Sequence, residues 1–101
     1  MAYPADYASV IMSVNCALWG AVSSSLRSVQ VEFTEKEINI YCFFDGVISD
    51  DDSEDMSVVA TEVAADFPDH QVYEHCIRAD YPTPIKPTDK ARHIVFWRKE
   101  G

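Results

Sequence analysis

Five carboxylates fall within six consecutive positions, Asp50, Asp51, Asp52, Glu54 and Asp55, interrupted only by Ser53. A divalent cation is the first chemistry such a run suggests, and the spacing argues against it. A calcium loop of the EF-hand kind alternates its oxygen ligands, turns on a central glycine and closes on a glutamate, whereas this run contains no glycine. Consecutive side chains on a helix also radiate in different directions and do not converge on one ion. Two readings survive: a solvated helix start, where carboxylates oppose the positive end of the helix dipole, and a contact surface for a basic partner.

Nucleophilic chemistry finds little support. The cysteines Cys16, Cys42 and Cys76 are odd in number, widely spaced and without a CxxC pair, so reduced thiols acting as small buried hydrophobes are expected. His75-Cys76 is the only adjacent base and thiol, and on a strand adjacent residues face opposite sides of the sheet. His70 and His93 have no evident partner in the sequence. Only Gly20, Gly46 and Gly101 are available, with no GxGxxG, P-loop or GxSxG, so a phosphate-cradling loop finds little support. Trp19, Trp97, Tyr73 and Tyr81 are expected to pack in the core. The reading is of a chain that is not an enzyme and needs no metal or cofactor. Catalysis would require a cysteine or histidine site assembled by tertiary contacts.

The elements that would position these residues can be read from periodicity. Tyr7, Val10, Ile11, Val14, Ala17 and Leu18 recur at helical spacing between Asp6 and Leu18, and Gly20 is the expected stop. After a serine-rich connection from Val22 to Leu26, Val29, Val31 and Phe33 alternate with polar neighbours. Thr34-Glu35-Lys36-Glu37 then turns the chain into a second alternating strand, Ile38 to Phe44, closed by Asp45-Gly46. Met56, Val59, Ala60, Val63 and Phe67 form the stripe of a second helix, with N-cap candidates from Ser49 to Asp52 and a stop at Pro68. Val72 to Arg78 and Arg92 to Lys99 read as strands, separated by a connection containing Pro82, Pro84 and Pro87. The fold class expected is α+β, one domain over residues 1–101, with two helices packed on a four-stranded, mainly antiparallel sheet in the order αββαββ. Tyr41 and Phe43 project opposite Ile40, Cys42 and Phe44, so the reverse face of the sheet also calls for cover, either within the chain or in a homodimer.

The chain has 101 residues, 48% of them hydrophobic, and a formal net charge of −9, which excludes a disordered class and disfavours nucleic acid or anionic lipid as partner. From Glu32 to Asp69 the only basic residue is Lys36, while Arg78, Lys86, Lys90, Arg92, Arg98 and Lys99 follow. If the hairpin turn lies near the start of the second helix, one end of the domain is a concentrated anionic surface. The apolar stretch from Val10 to Val22 lacks the basic flank of a signal peptide and the length of a membrane span, so a cytoplasmic protein is expected.

Four stretches carry a resemblance: Leu26-Arg27-Ser28-Val29, Ile40-Tyr41-Cys42-Phe43-Phe44-Asp45-Gly46, Thr61-Glu62-Val63-Ala64-Ala65-Asp66-Phe67-Pro68 and Ile77-Arg78-Ala79-Asp80-Tyr81-Pro82. Together they resemble small bacterial immunity proteins of contact-dependent growth inhibition and related toxin systems. The resemblance implies an inhibitor that binds and neutralises a cognate toxin. A nuclease with a basic cleft suits the acidic surface, which can present carboxylates where phosphates would sit. The partner-binding residues expected are Asp45, Asp50, Asp51, Asp52, Glu54 and Asp55, with Glu35 or Glu37 at the rim. The alternative is a homodimeric adaptor or regulatory protein without catalytic activity, associating through the Tyr41 and Phe43 face.

Overall fold

Among the described residues, apolar residues at helical and alternating spacing produce two helices and four strands in the chain order α1 (Tyr7–Ala17), β1 (Leu26–Phe33), β2 (Glu37–Phe44), α2 (Asp50–Asp66), β3 (Gln71–Arg78) and β4 (His93–Trp97). The computed structural model describes residues 6–85 and 93–100. Pro87, and Arg92 at the expected start of the last strand, lie outside the described residues. The Asp6 carboxylate caps α1 by accepting from the Ser9 N–H at 2.8 Å, and the Ser49 hydroxyl caps α2 by accepting from the Asp52 N–H at 3.1 Å. Gly20 and Gly46 adopt φ of +80° and +82°, the left-handed region in which a side chain is strained. They end the α1 segment and the β2 strand as expected.

The sheet is mixed, with spatial order β3-β2-β1-β4, which corrects the mainly antiparallel expectation. β1 pairs antiparallel with both β2 and β4, whereas β2 and β3 run parallel. Length explains the parallel pair. A 17-residue helix covers about 26 Å, and so does an eight-residue strand, so α2 carries the chain from the end of β2 back to its beginning before β3 starts. β3 and β4, consecutive in the chain, consequently lie on opposite edges.

Both helices pack on the same face. Val10, Val14 and Leu18 of the α1 segment and Met56, Val59, Val63 and Phe67 of the α2 segment meet Val29, Val31, Ile38, Ile40, Cys42 and Phe44 of the sheet in one core. The Ser13 hydroxyl donates to the Asp66 carboxylate at 2.6 Å and ties the helices together. The helix-free face carries Ser28 and Gln30 of β1 opposite Phe43 and Tyr41 of β2. Ser28, Gln30 and Phe43 are buried there, while Tyr41 stacks on His75 at 4.8 Å between ring centroids.

The tryptophans and two of the tyrosines depart from expectation. Trp19 is 78% exposed, and Trp97, Tyr73 and Tyr81 are exposed as well. Trp19 follows α1 beyond the buried stripe. Trp97 and Tyr73 occupy the two edge strands on the helix-free face, where neighbours are fewest. Among the thiols, Cys42 is buried, Cys76 half-buried and Cys16 exposed, because Cys16 falls off the buried stripe of α1.

Val59 and Val63 are almost completely inaccessible on the stripe that docks α2 onto the sheet. Val59→Asp or Val63→Asp would place an unpaired charge there, at a cost of several kcal/mol, comparable with the whole stability of a domain this size. Thermal melting should show loss of the cooperative transition in either variant.

Candidate functional site

The acidic run forms the first turns of α2. Asp50, Asp51 and Asp52 lie in the first turn, where the unpaired N–H groups of the helix favour negative charge. Asp50, Asp51, Glu54 and Asp55 are exposed, and none of them has an ion-pair partner among the described residues. Asp52 differs. It stands four residues before Met56 on the apolar stripe and is only 9% exposed, contrary to the expectation that the whole run is accessible.

Asp45 is engaged from two sides. One of its carboxylate oxygens accepts from the Tyr81 N–H at 3.1 Å, and the other lies 3.3 Å from the Arg98 guanidinium. Glu35 lies in the β1–β2 turn and Glu37 opens β2, both at the far end of the domain. There the Gln71 N–H donates to the Lys36 carbonyl, and the ring of His70 approaches the Thr34 carbonyl. The condition that the hairpin turn lie near the start of α2 is thus not met: α2 separates them by its own length, and the turn sits beside the helix's last residues.

A second network occupies the α2-start end of the sheet, and its centre was not legible in the sequence. Arg27, an extra residue at an irregularity in the β1–β2 register, is 2% exposed. Its Nε and Nη2 donate to the two carboxylate oxygens of Glu100, at 2.7 and 3.0 Å, and its Nη1 donates to the carbonyls of Ala79 and Thr83. The guanidinium also lies 5.6 Å from the centre of the Tyr81 ring. The Asp80 carboxylate accepts from the Gly46 N–H and from Arg78. Three of the stretches that carry the family resemblance therefore meet in one place, around Arg27, Asp45-Gly46 and Arg78 to Tyr81. Each side chain there holds a neighbouring loop, which is a structural role.

The remaining candidates do not assemble into a catalytic centre. His75 bonds to Asn39 on the helix-free face while Cys76 points to the helices, and the His93 ring packs tilted against Tyr7 at 3.9 Å between centroids, so the histidines have partners the sequence did not reveal. Burial pushes the Cys42 and Cys76 thiols up, away from the reactive thiolate form. Among the described residues no group of His, Cys, Asp and Glu is placed to hold a metal ion, and no helix is long and apolar enough to cross a membrane.

The hydrogen bonds of Arg27, joined by Arg98, hold the Glu100 carboxyl below its ordinary value near 4.5. A depressed folded value contributes stability that is complete above the unfolded value and is lost as the pH falls through the folded one. Glu100→Gln should therefore lower the melting temperature at neutral pH, and the gap to wild type should close as the pH drops below 4.5. Melting curves across the acid range check this.

A profile described as MafI2 immunity protein matches residues 7–100. No curated protein matches the chain. The match opens on the first residue of α1 and closes on Glu100, the carboxylate that Arg27 holds, so every described helix and strand falls inside it and the chain belongs to the MafI2 immunity protein family.

Proposed function

We propose that this immunity protein is a non-catalytic inhibitor that acts in the cytoplasm and neutralises a nuclease toxin by presenting the first turns of α2 to its basic cleft. The observation that carries the reading is the set Asp50, Asp51, Glu54 and Asp55, exposed together at one helix start and, among the described residues, without cationic partners. Carboxylates held on a rigid helix can replace the phosphates that such a cleft binds, relieving repulsion among its lysines and arginines while excluding nucleic acid. The net charge of −9 adds long-range attraction that speeds encounter. Asp45, shared between Arg98 and the Tyr81 N–H, serves this surface from behind by fixing the loop that leads into α2. The buried Asp52 takes no part in the contact.

Reversing two of the exposed residues, as in Asp51→Lys with Asp55→Lys, should leave the domain folded. The cost from the helix dipole is about 0.3–1 kcal/mol at Asp51, in the first turn, and falls off toward Asp55. Affinity for the toxin should fall about a hundredfold. The loss should exceed that from Glu62→Lys farther along α2, and wild-type association should slow steeply with added salt while dissociation changes less. Reversed variants that bind and protect as wild type does would rule out the electrostatic mechanism.

Replacing Cys16, Cys42 and Cys76 together with alanine should leave toxin binding unchanged, apart from lower stability where Cys42 packs in the core. Calorimetry and a toxin-protection assay measure both.

A further inference from the structure

β3 is an edge strand with few of the features that normally blunt one. It runs for eight residues with no register shift against β2 and contains neither proline nor lysine, whereas β4, the opposite edge, has five residues and a register shift and is followed by Arg98-Lys99. The Gln71 N–H donates to the Lys36 carbonyl at 2.9 Å and the Ala79 N–H to the Phe44 carbonyl at 2.7 Å. That common offset directs the backbone groups of the odd-numbered residues at β2. The N–H and C=O groups of Val72, Glu74, Cys76 and Arg78 therefore point outward, and among the described residues no strand pairs with them.

Among the described residues, the surroundings of this edge are open on both faces. Asp66 marks the flank of α2 that faces α1, because it accepts from Ser13. On the other flank, over the β3 edge, stand the small residues Ser53, Ser57, Ala60 and Ala64 at positions i, i+4, i+7 and i+11. On the helix-free face Tyr73 and Ile77 are exposed on either side of His75. Glu74 lies half-buried on the α2 side, with no hydrogen-bond or ion-pair partner among the described residues.

We propose that the outer edge of β3 receives an extended strand of the toxin, which continues the sheet by main-chain hydrogen bonds and sets a basic side chain against Glu74. The inference rests on the toxin-neutralising reading above and adds a second contact to it. Strand addition takes its affinity from the backbone and its selectivity from alternate side chains, here met by the Tyr73, His75 and Ile77 row on one face and the small flank of α2 on the other. A second copy of this chain is a poorer occupant. A two-fold that continued the sheet through β3 would bring the two Glu74 carboxylates close together, between chains that each carry a net charge of −9.

The test uses the full chain and the purified toxin that the wild type neutralises. Cys76→Pro removes one outward N–H and none of the bonds to β2, a position where an edge strand tolerates proline, and Cys76→Ala is its control. Ser57→Trp places an indole over the edge. Wild type and Cys76→Ala should bind alike, while Cys76→Pro and Ser57→Trp should bind about tenfold more weakly or worse. Toxin should also slow hydrogen exchange at the Glu74 and Cys76 amides, a readout that stands even if Cys76→Pro fails to fold. Unchanged affinity in folded Cys76→Pro or Ser57→Trp, or unprotected Glu74 and Cys76 amides in the complex, overturns the strand-addition inference and leaves the toxin reading intact. A wild-type dimer that Cys76→Pro dissolves while toxin binding persists overturns it in favour of self-pairing. A wild-type chain that binds no toxin sinks both.

Discussion

The docking of α2 against the sheet is the constraint on which the other features rest. Its apolar stripe from Met56 to Phe67 fits over β2 and β3, and its length matches that of the strand it follows. A shorter helix could not return the chain to the start of β2, and β3 would then have to pair in the other direction. Because the match holds, β3 lies parallel to β2 at an edge. The helix start, with its carboxylates, stands at the end of the sheet where β2 and β3 finish. The same rotation of α2 that buries Val59 and Val63 turns Asp66 to α1 and turns Ser53, Ser57, Ala60 and Ala64 to the opposite flank.

The end of the domain that displays the acidic turns is also the end that Arg27 organises. Its buried guanidinium fixes the loop after β3 through the Ala79 and Thr83 carbonyls and the last described residue through Glu100, while Arg98 reaches Asp45. A guanidinium can serve this many acceptors because its five donors lie in a planar fork, whereas an ammonium has no such geometry. Taking that charge out of water demands that its acceptors be present, so the loops around it are held in one arrangement. The exposed carboxylates of α2 thus stand beside an assembly held in one arrangement.

Much of the architecture was legible in periodicity. Both helices, the β1–β2 hairpin, the stops at Gly20, Gly46 and Pro68, and the α+β class follow from spacing and from the conformational limits of glycine and proline. Those signals are local, and local sterics decide them. The mixed sheet was missed because pairing direction depends on where α2 returns the chain. The exposed tryptophans were missed because aromatic character predicts burial only where neighbours exist to supply it.

For the site, the sequence by itself determined that the carboxylates at 50–55 begin a helix, that they lack metal-loop spacing and that the chain carries a large negative charge. Those are properties of residue type and of near neighbours along the chain. Only the tertiary structure decided that Asp52 turns inward while Asp51 and Asp55 face solvent, that Asp45 is held by Arg98, that Glu35 and Glu37 stand at the opposite end, and that no described strand pairs with the outer edge of β3. Each of these depends on which distant segment packs alongside, and that is set by the fit of whole apolar faces to one another, which no single stretch of the chain contains.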